Sequence, residues 1–266
     1  MIADAQVHVW ERVQPGRRPQ RQRPFSPEEL LAAMNVAGVD RAILVPPSWC
    51  DDGNEVVLRA TNEHSDRFAA MGKISLDSAL PGDLGNWKKA AGLVGLRLVF
   101  NSAALATRLH TGDLDWLWSE AEREQIPIMI HAAGSLGAVG RVARRFPALR
   151  LIIDHLGLPS GVQGNHVQPH ITALLELATL DNIAVKATAV PAYSSDAFPF
   201  ADMQRHVCNV IDGFGAERVF WGSDLTRLRC DYRDVVSFIT EAIDCLTVAQ
   251  RDLVKGRALC AWLGWS

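Results

Sequence analysis

The sequence predicts an α/β fold, a distorted (β/α)8 TIM barrel, and three observations carry that expectation. Apolar strand-like runs recur about every 30 residues, the length of one β/α unit. Amphipathic stretches of helical period lie between them, which calls for a parallel sheet. The chain has 266 residues, which suits one barrel domain spanning 1–266. An open doubly wound sheet is the competitor. Eight units and the lack of a glycine-rich phosphate loop after the first run argue for the closed form.

The runs lie at 2–10, 41–47, 68–75, 94–100, 127–132, 149–156, 182–190 and 218–225. The first helix is expected over 26–38. Ser26 is its N-cap, Pro27 opens the first turn, Glu28 and Glu29 complement the helix dipole, and Gly38 ends it. Further helices are expected near 53–66, 82–91, 113–125, 135–146, 167–180, 198–212 and 231–245. A last segment, 247–263, is left to pack outside the barrel or across one end.

Hydrophobic residues make up 48 % of the chain and charged residues 21 %, so a large core can form. A formal net charge of -3 argues against a nucleic-acid binder. No apolar run is long enough to span a membrane and no basic-then-apolar leader opens the chain. The cysteines Cys50, Cys208, Cys230, Cys245 and Cys260 are odd in number and scattered, which fits reduced thiols in a cytoplasmic protein. A homo-oligomer is left open, with Trp265 either core or interface.

Chemistry concentrates at the ends of strands. On the first strand Asp4, Gln6 and His8 fall on alternate positions and are expected to share one face, aimed into the barrel. The fifth strand ends in His131, the sixth in His155 and the eighth in Asp224. A lone histidine at a strand end is ordinarily a hydrogen-bonded structural residue. Four ionisable groups at one end of one barrel instead mark a site, because barrel enzymes place their reacting groups there. Imidazole and carboxylate are ligands of catalytic divalent ions such as Zn or Mn, so His8, His131, His155 and Asp224 are candidates to gather one. Asp224 can also take a proton from attacking water. Trp10, Trp49 and Tyr193 follow strands and are candidates to line a pocket for a flat ring. The loop 11–25 carries Arg12, Arg17, Arg18, Arg21 and Arg23 over the same face. It reads either as a solvated loop or as a cationic lid for an anionic small molecule.

The opening DAQVHVW, the GLR at 95–97, PIMIHA at 127–132, IIDHLG at 152–157, VK at 185–186 and WGSD at 221–224 occur in that order. Together they resemble the amidohydrolase superfamily, in the branch holding 2-pyrone-4,6-dicarboxylate lactonase and L-fuconolactonase. The resemblance implies a hydrolase that opens a lactone or similar cyclic ester of a carboxylated substrate. His8 matches the second histidine of the HxH motif, His131 and His155 match the histidines of strands 5 and 6, and Asp224 matches the general base. Arg97 falls where the branch holds a carboxylate or carbonyl oxygen, and Lys186 where it has a lysine expected to touch substrate beside His155, Trp49 and Tyr193.

One departure stands out, since Gln6 replaces the first histidine of HxH. Two readings follow. In one, a single divalent metal sits among His8, His131 and Asp224. In the other there is no metal, and Gln6, His8 and His131 hydrogen-bond the developing oxyanion while Asp224 activates water. A metal-dependent decarboxylase of an aromatic or unsaturated acid, and an inactive binding protein, are the alternatives.

Overall fold

The computed structural model describes residues 1–12, 23–50, 52–228 and 230–266. Eight strands form one parallel sheet: β1 (Ala3–Val7), β2 (Arg41–Leu44), β3 (Phe68–Gly72), β4 (Leu93–Val99), β5 (Ile128–His131), β6 (Leu151–Ile153), β7 (Ile183–Thr188) and β8 (Val219–Gly222). They are hydrogen-bonded in sequence order. The sheet curls into a nearly closed barrel with helices between the strands. These are α1 (Pro27–Ala37), α2 (Glu55–Glu63), α3 (Ala103–Thr111), α4 (Asp115–Arg123), α5 (Leu136–Arg145), α6 (Gln168–Leu175), α7 (Val190–Tyr193), α8 (Ala201–Phe214), α9 (Tyr232–Ser237), α10 (Val248–Asp252) and α11 (Ala258–Leu263). Helix α1 starts in a capping box between Ser26 and Glu29 and ends at left-handed Gly38, as its sequence requires. The stretch expected as a helix at 82–91 is a 3₁₀ segment, and α3 was not foreseen.

Alternation along the strands sorts the core into two layers. Val7, Leu44, Leu96 and Ile153 pack outward against the helices. Ala3, Ala5, Ile43, Met71, Met129 and Phe220 fill the barrel, and Leu259 and Leu263 of α11 join that inner cluster. The terminal segment therefore plugs the end of the barrel away from the site. It crosses β1 closely: a Cβ on Gly256 would lie 2.7 Å from the Ala3 nitrogen. Trp265 belongs to the same cluster, with the Arg41 guanidinium over its ring, so it is core within this chain.

Two features depart from expectation. Strand β1 carries a register shift between Asp4 and Val7. This bulge breaks strict alternation. Ala3 and Ala5 face the barrel interior, and Asp4 does not share the inner face with Gln6 and His8. Instead Asp4 seals the seam with β8, where the described residues form no strand ladder. Its carboxylate accepts from Ser223 N (2.8 Å), Ser223 Oγ (2.5 Å), Tyr232 OH (2.6 Å) and Gln6 N (3.0 Å). The second departure is a disulfide, Cys208–Cys245. The sequence offered no spacing to pair these residues, and Cys50, Cys230 and Cys260 remain free. No helix among the described residues is long and apolar enough to cross a membrane.

Candidate active site

The C-terminal ends of the strands surround a cavity of about 270 Å³, lined among others by His8, Trp10, Trp49, Arg97, His131, His155, Asp224 and Arg227. Backbone conformation aims several of these groups. His155 (φ 52°) and Asp224 (φ 52°) both adopt the left-handed region just past their strands. That region is strained for a residue with a Cβ, at about 1–3 kcal/mol each, and it turns a side chain away from the strand direction. The surrounding contacts hold the strain. The Asp224 N–H donates to the Gln6 carbonyl (3.0 Å), which ties the last turn to β1.

Asp224 is the centre of the cup. Its Oδ1 lies 3.3 Å from His8 Nε2, and its Oδ2 lies 3.8 Å from both His155 Nε2 and Arg227 Nη1. Oδ1 is buried and takes no well-aligned hydrogen bond from any described residue. Burial alone would raise this carboxyl, but His8, His155 and Arg227 outweigh it and hold it well below the usual carboxylate range. The group is therefore an ionised carboxylate whose charged partners stand at 3.3 Å or more. His8 is fixed through Nδ1, which donates to the Val45 carbonyl at 2.7 Å. Burial lowers the His155 pKa to about 3 against the pull of Asp224 and Asp154, and it lowers His131 likewise. Both rings are neutral near pH 7. They meet edge to face at 5.5 Å.

Below the cavity lies a second, closed network. Lys186 has no exposed surface. Its ammonium is ion-paired with Asp154 Oδ1 at 2.7 Å, donates to Gln6 Oε1, and sits 3.2 Å from Met129 Sδ. Arg97 Nε donates to Asp154 Oδ2 at 2.8 Å. Burial would raise Asp154, but Lys186 and Arg97 override it and drive the carboxyl far down. The Gln6 amide nitrogen faces His8 Nε2 at 3.3 Å.

The residues predicted from sequence thus divide. Asp224, His8, His131, His155, Arg97, Trp10 and Trp49 all line the cavity. Gln6 and Lys186 do not; they are fully buried beneath it, because Asp154 and each other occupy their polar atoms. Tyr193 is buried too, stacked behind Arg227, with its hydroxyl 3.4 Å from both Arg227 Nη1 and the Leu158 carbonyl. Among the described residues, His131, Asp154 and His155 form the group whose donor atoms lie within 4.8 Å of one another, a spacing that can hold an ion. The trio His8, His131 and Asp224 does not form such a group. Arg12 pairs with Asp52, and Arg23 with Glu29. Arg17, Arg18, Arg21 and Arg229 lie outside the described residues.

Sequence reasoning gave Asp154 no role, although it stands beside His155 in the motif. Arg227 also lines the cavity. The signal for Arg227 was its position three residues past Asp224, within one turn.

Comparison with known proteins agrees with the barrel fold. The family model described as amidohydrolase matches residues 3–245. The L-fucono-1,5-lactonase of Burkholderia ambifaria is 26 % identical over 263 residues, covering 91 % of this chain and 87 % of that protein. The 4-sulfomuconolactone hydrolase of Hydrogenophaga intermedia is 30 % identical over 214 residues, covering 76 % of this chain and 65 % of that protein. Among solved structures, an amidohydrolase from Burkholderia multivorans with bound Zn superimposes with a TM-score of 0.87 at 18 % identity, covering 99 % of both chains.

Proposed function

The chain belongs to the amidohydrolase family and is a hydrolase, and from that premise we propose that it opens a lactone of a carboxylated substrate by water attack. The observation that carries this reading is Asp224, a buried and ionised carboxylate that lines the cavity with its charged partners no closer than 3.3 Å. Water held on this carboxylate attacks the lactone carbonyl, and Asp224 takes its proton. The carbonyl oxygen gains negative charge, which Arg97 and the His131 ring face from the cavity wall. The proton on Asp224 then passes to the ring oxygen as the carbon–oxygen bond breaks, leaving a hydroxy acid. His8 and His155 orient Asp224, while Gln6 and Lys186 position His8 and Asp154 from below. Two guanidinium groups, Arg97 and Arg227, line the one cavity, which supports an anionic substrate.

A metal in this site is tested by the donors present. Gln6 offers the cup its amide nitrogen, a donor, because Lys186 holds its oxygen. Both oxygens of Asp154, the carboxylate in the closely spaced group, are bound to Lys186 and Arg97. Two protein cations already balance this floor, and a dication beside them would meet repulsion rather than ligands. The residues do not fit a resident ion, so we read the reaction as metal-independent. A decarboxylase that depends on a firmly held metal is not favoured, and the intact base argues against an inactive binding protein.

The test is a panel of carboxylated lactones assayed for acid release before and after thorough chelation, with metal content measured in each sample. Turnover that persists within about twofold in metal-free protein is expected. Loss on chelation with recovery on adding Zn would overturn the metal-independent reading. No turnover of any lactone would overturn the hydrolase assignment to this substrate class.

A further inference from the structure

A second cavity, of about 170 Å³, opens beside the first. The two share Ser48, Arg97 and Val99. Its own walls come from the loops after β2 and β3, the end of β4, and α3. Pro46, Ile74, Leu76, Leu98 and Leu105 give it an apolar wall, beside the polar Ser48, Lys73, Asp77 and Arg97. The charged groups at its edge are occupied: the Lys73 ammonium donates to the Cys50 and Pro47 carbonyls, and Asp77 pairs with Arg108 at 3.4 Å. At the neck stands Arg97. Its Nε is held by Asp154, and its terminal nitrogens have no acceptor among the described residues.

The first lobe alone falls short of the roughly 300–1,000 Å³ usual for small-molecule sites, and the two lobes together reach it. The second has room for about five groups of water or methylene size, at about 30 Å³ each. The wall made by its five apolar side chains gives water no partner, so that side of the lobe favours carbon over solvent.

We propose that the second lobe is a subsite for an apolar arm on the substrate. The inference rests on the lactonase reading and deepens it. The lactone ring lies over Asp224, a carboxylate at the neck meets the terminal nitrogens of Arg97, and an alkyl arm of about four or five carbons fills the lobe. The substrate class is thus a carboxylated lactone with a hydrophobic side chain, not a bare ring acid.

The experiment is an arm-length series, from methyl to hexyl, read in two ways. Hydrolysis is followed as kcat/KM for the lactones. Binding of the ring-opened hydroxy acids is measured separately by calorimetry, a readout that needs no turnover. Both are expected to improve by about fourfold per added methylene until the lobe is full. Leu105→Trp, and independently Ile74→Phe, should flatten that dependence by filling the lobe. Affinity and kcat/KM that ignore arm length, in a protein that hydrolyses short lactones, would overturn the subsite while leaving the reaction intact. Length-dependent binding that Leu105→Trp abolishes, with no hydrolysis of any lactone, would keep the subsite and overturn the reaction.

Discussion

The cup has two flanks that treat a buried aspartate in opposite ways. On the flank of β4, β6 and β7, Asp154 is ion-paired through both oxygens, with Lys186 at 2.7 Å and with Arg97 at 2.8 Å. On the flank of β8 and β1, Asp224 meets two imidazoles and a guanidinium at 3.3–3.8 Å, with no closer charged partner among the described residues. Both carboxyls are held well below their usual range against the cost of burial. The difference lies in how the charge is matched. A carboxylate gripped by two cations at hydrogen-bond distance is part of the floor. A carboxylate stabilised at slightly longer range stays ionised and still has a lone pair for a water proton.

The sharpest way to break this contrast is to neutralise each aspartate in turn. Asp224→Asn keeps the shape and removes the base. Its kcat on any lactone the protein opens is expected to fall by about 10²–10⁴-fold, with a smaller loss of stability than the Asp154 change causes. A variant that retains activity within tenfold of wild type would remove Asp224 from the chemistry. Asp154→Asn is expected to do the reverse. It leaves the Lys186 ammonium buried without its carboxylate, a change that costs about 3–5 kcal/mol of stability when one partner of a buried pair is lost. Urea unfolding of the two variants side by side checks the contrast. Equal loss of stability in both would mean that the two flanks do the same job.

Much of this arrangement was legible in the sequence, and the parts that were not share a cause. Buried parallel strands are continuous apolar runs, so all eight could be read locally, and so could the His8, His131, His155 and Asp224 endings that line the cavity. What failed was non-local. Whether Lys186 reaches a substrate or a buried carboxylate depends on Asp154, which is far along the chain and pairs with it only once the barrel curls. The bulge in β1 turned Asp4 from an expected inward position to the β8 seam, and no residue of that strand announces it. Cys208, in α8, and Cys245 are 37 residues apart, so their pairing is non-local. Helix α3 was missed although Ser102 caps it, because among its residues only Leu109 is buried and the apolar period is weak.

Acid separates stability from catalysis on the same two flanks. The His155 pKa drops from 6.5 unfolded to about 3 folded. Between those values the unfolded chain binds a proton that the native state refuses, so stability rises with pH and is lost as pH falls below 6.5. Buried His131 shifts in the same direction and adds to the slope. For His155 alone the loss from pH 6.5 to pH 5 is about 2 kcal/mol. The two aspartates, whose folded pKa values are depressed, give stability that is present above their unfolded value of 3.8 and is lost only below it. Asp224 therefore remains an ionised base over the interval in which the histidines weaken the fold. Urea unfolding at pH 7 and pH 5 should show the decline, and His155→Asn, which suits the left-handed backbone at that position, should reduce the slope by about one proton. A wild-type stability that stays flat between those two pH values would mean that His155 is not the buried neutral ring that links the flanks.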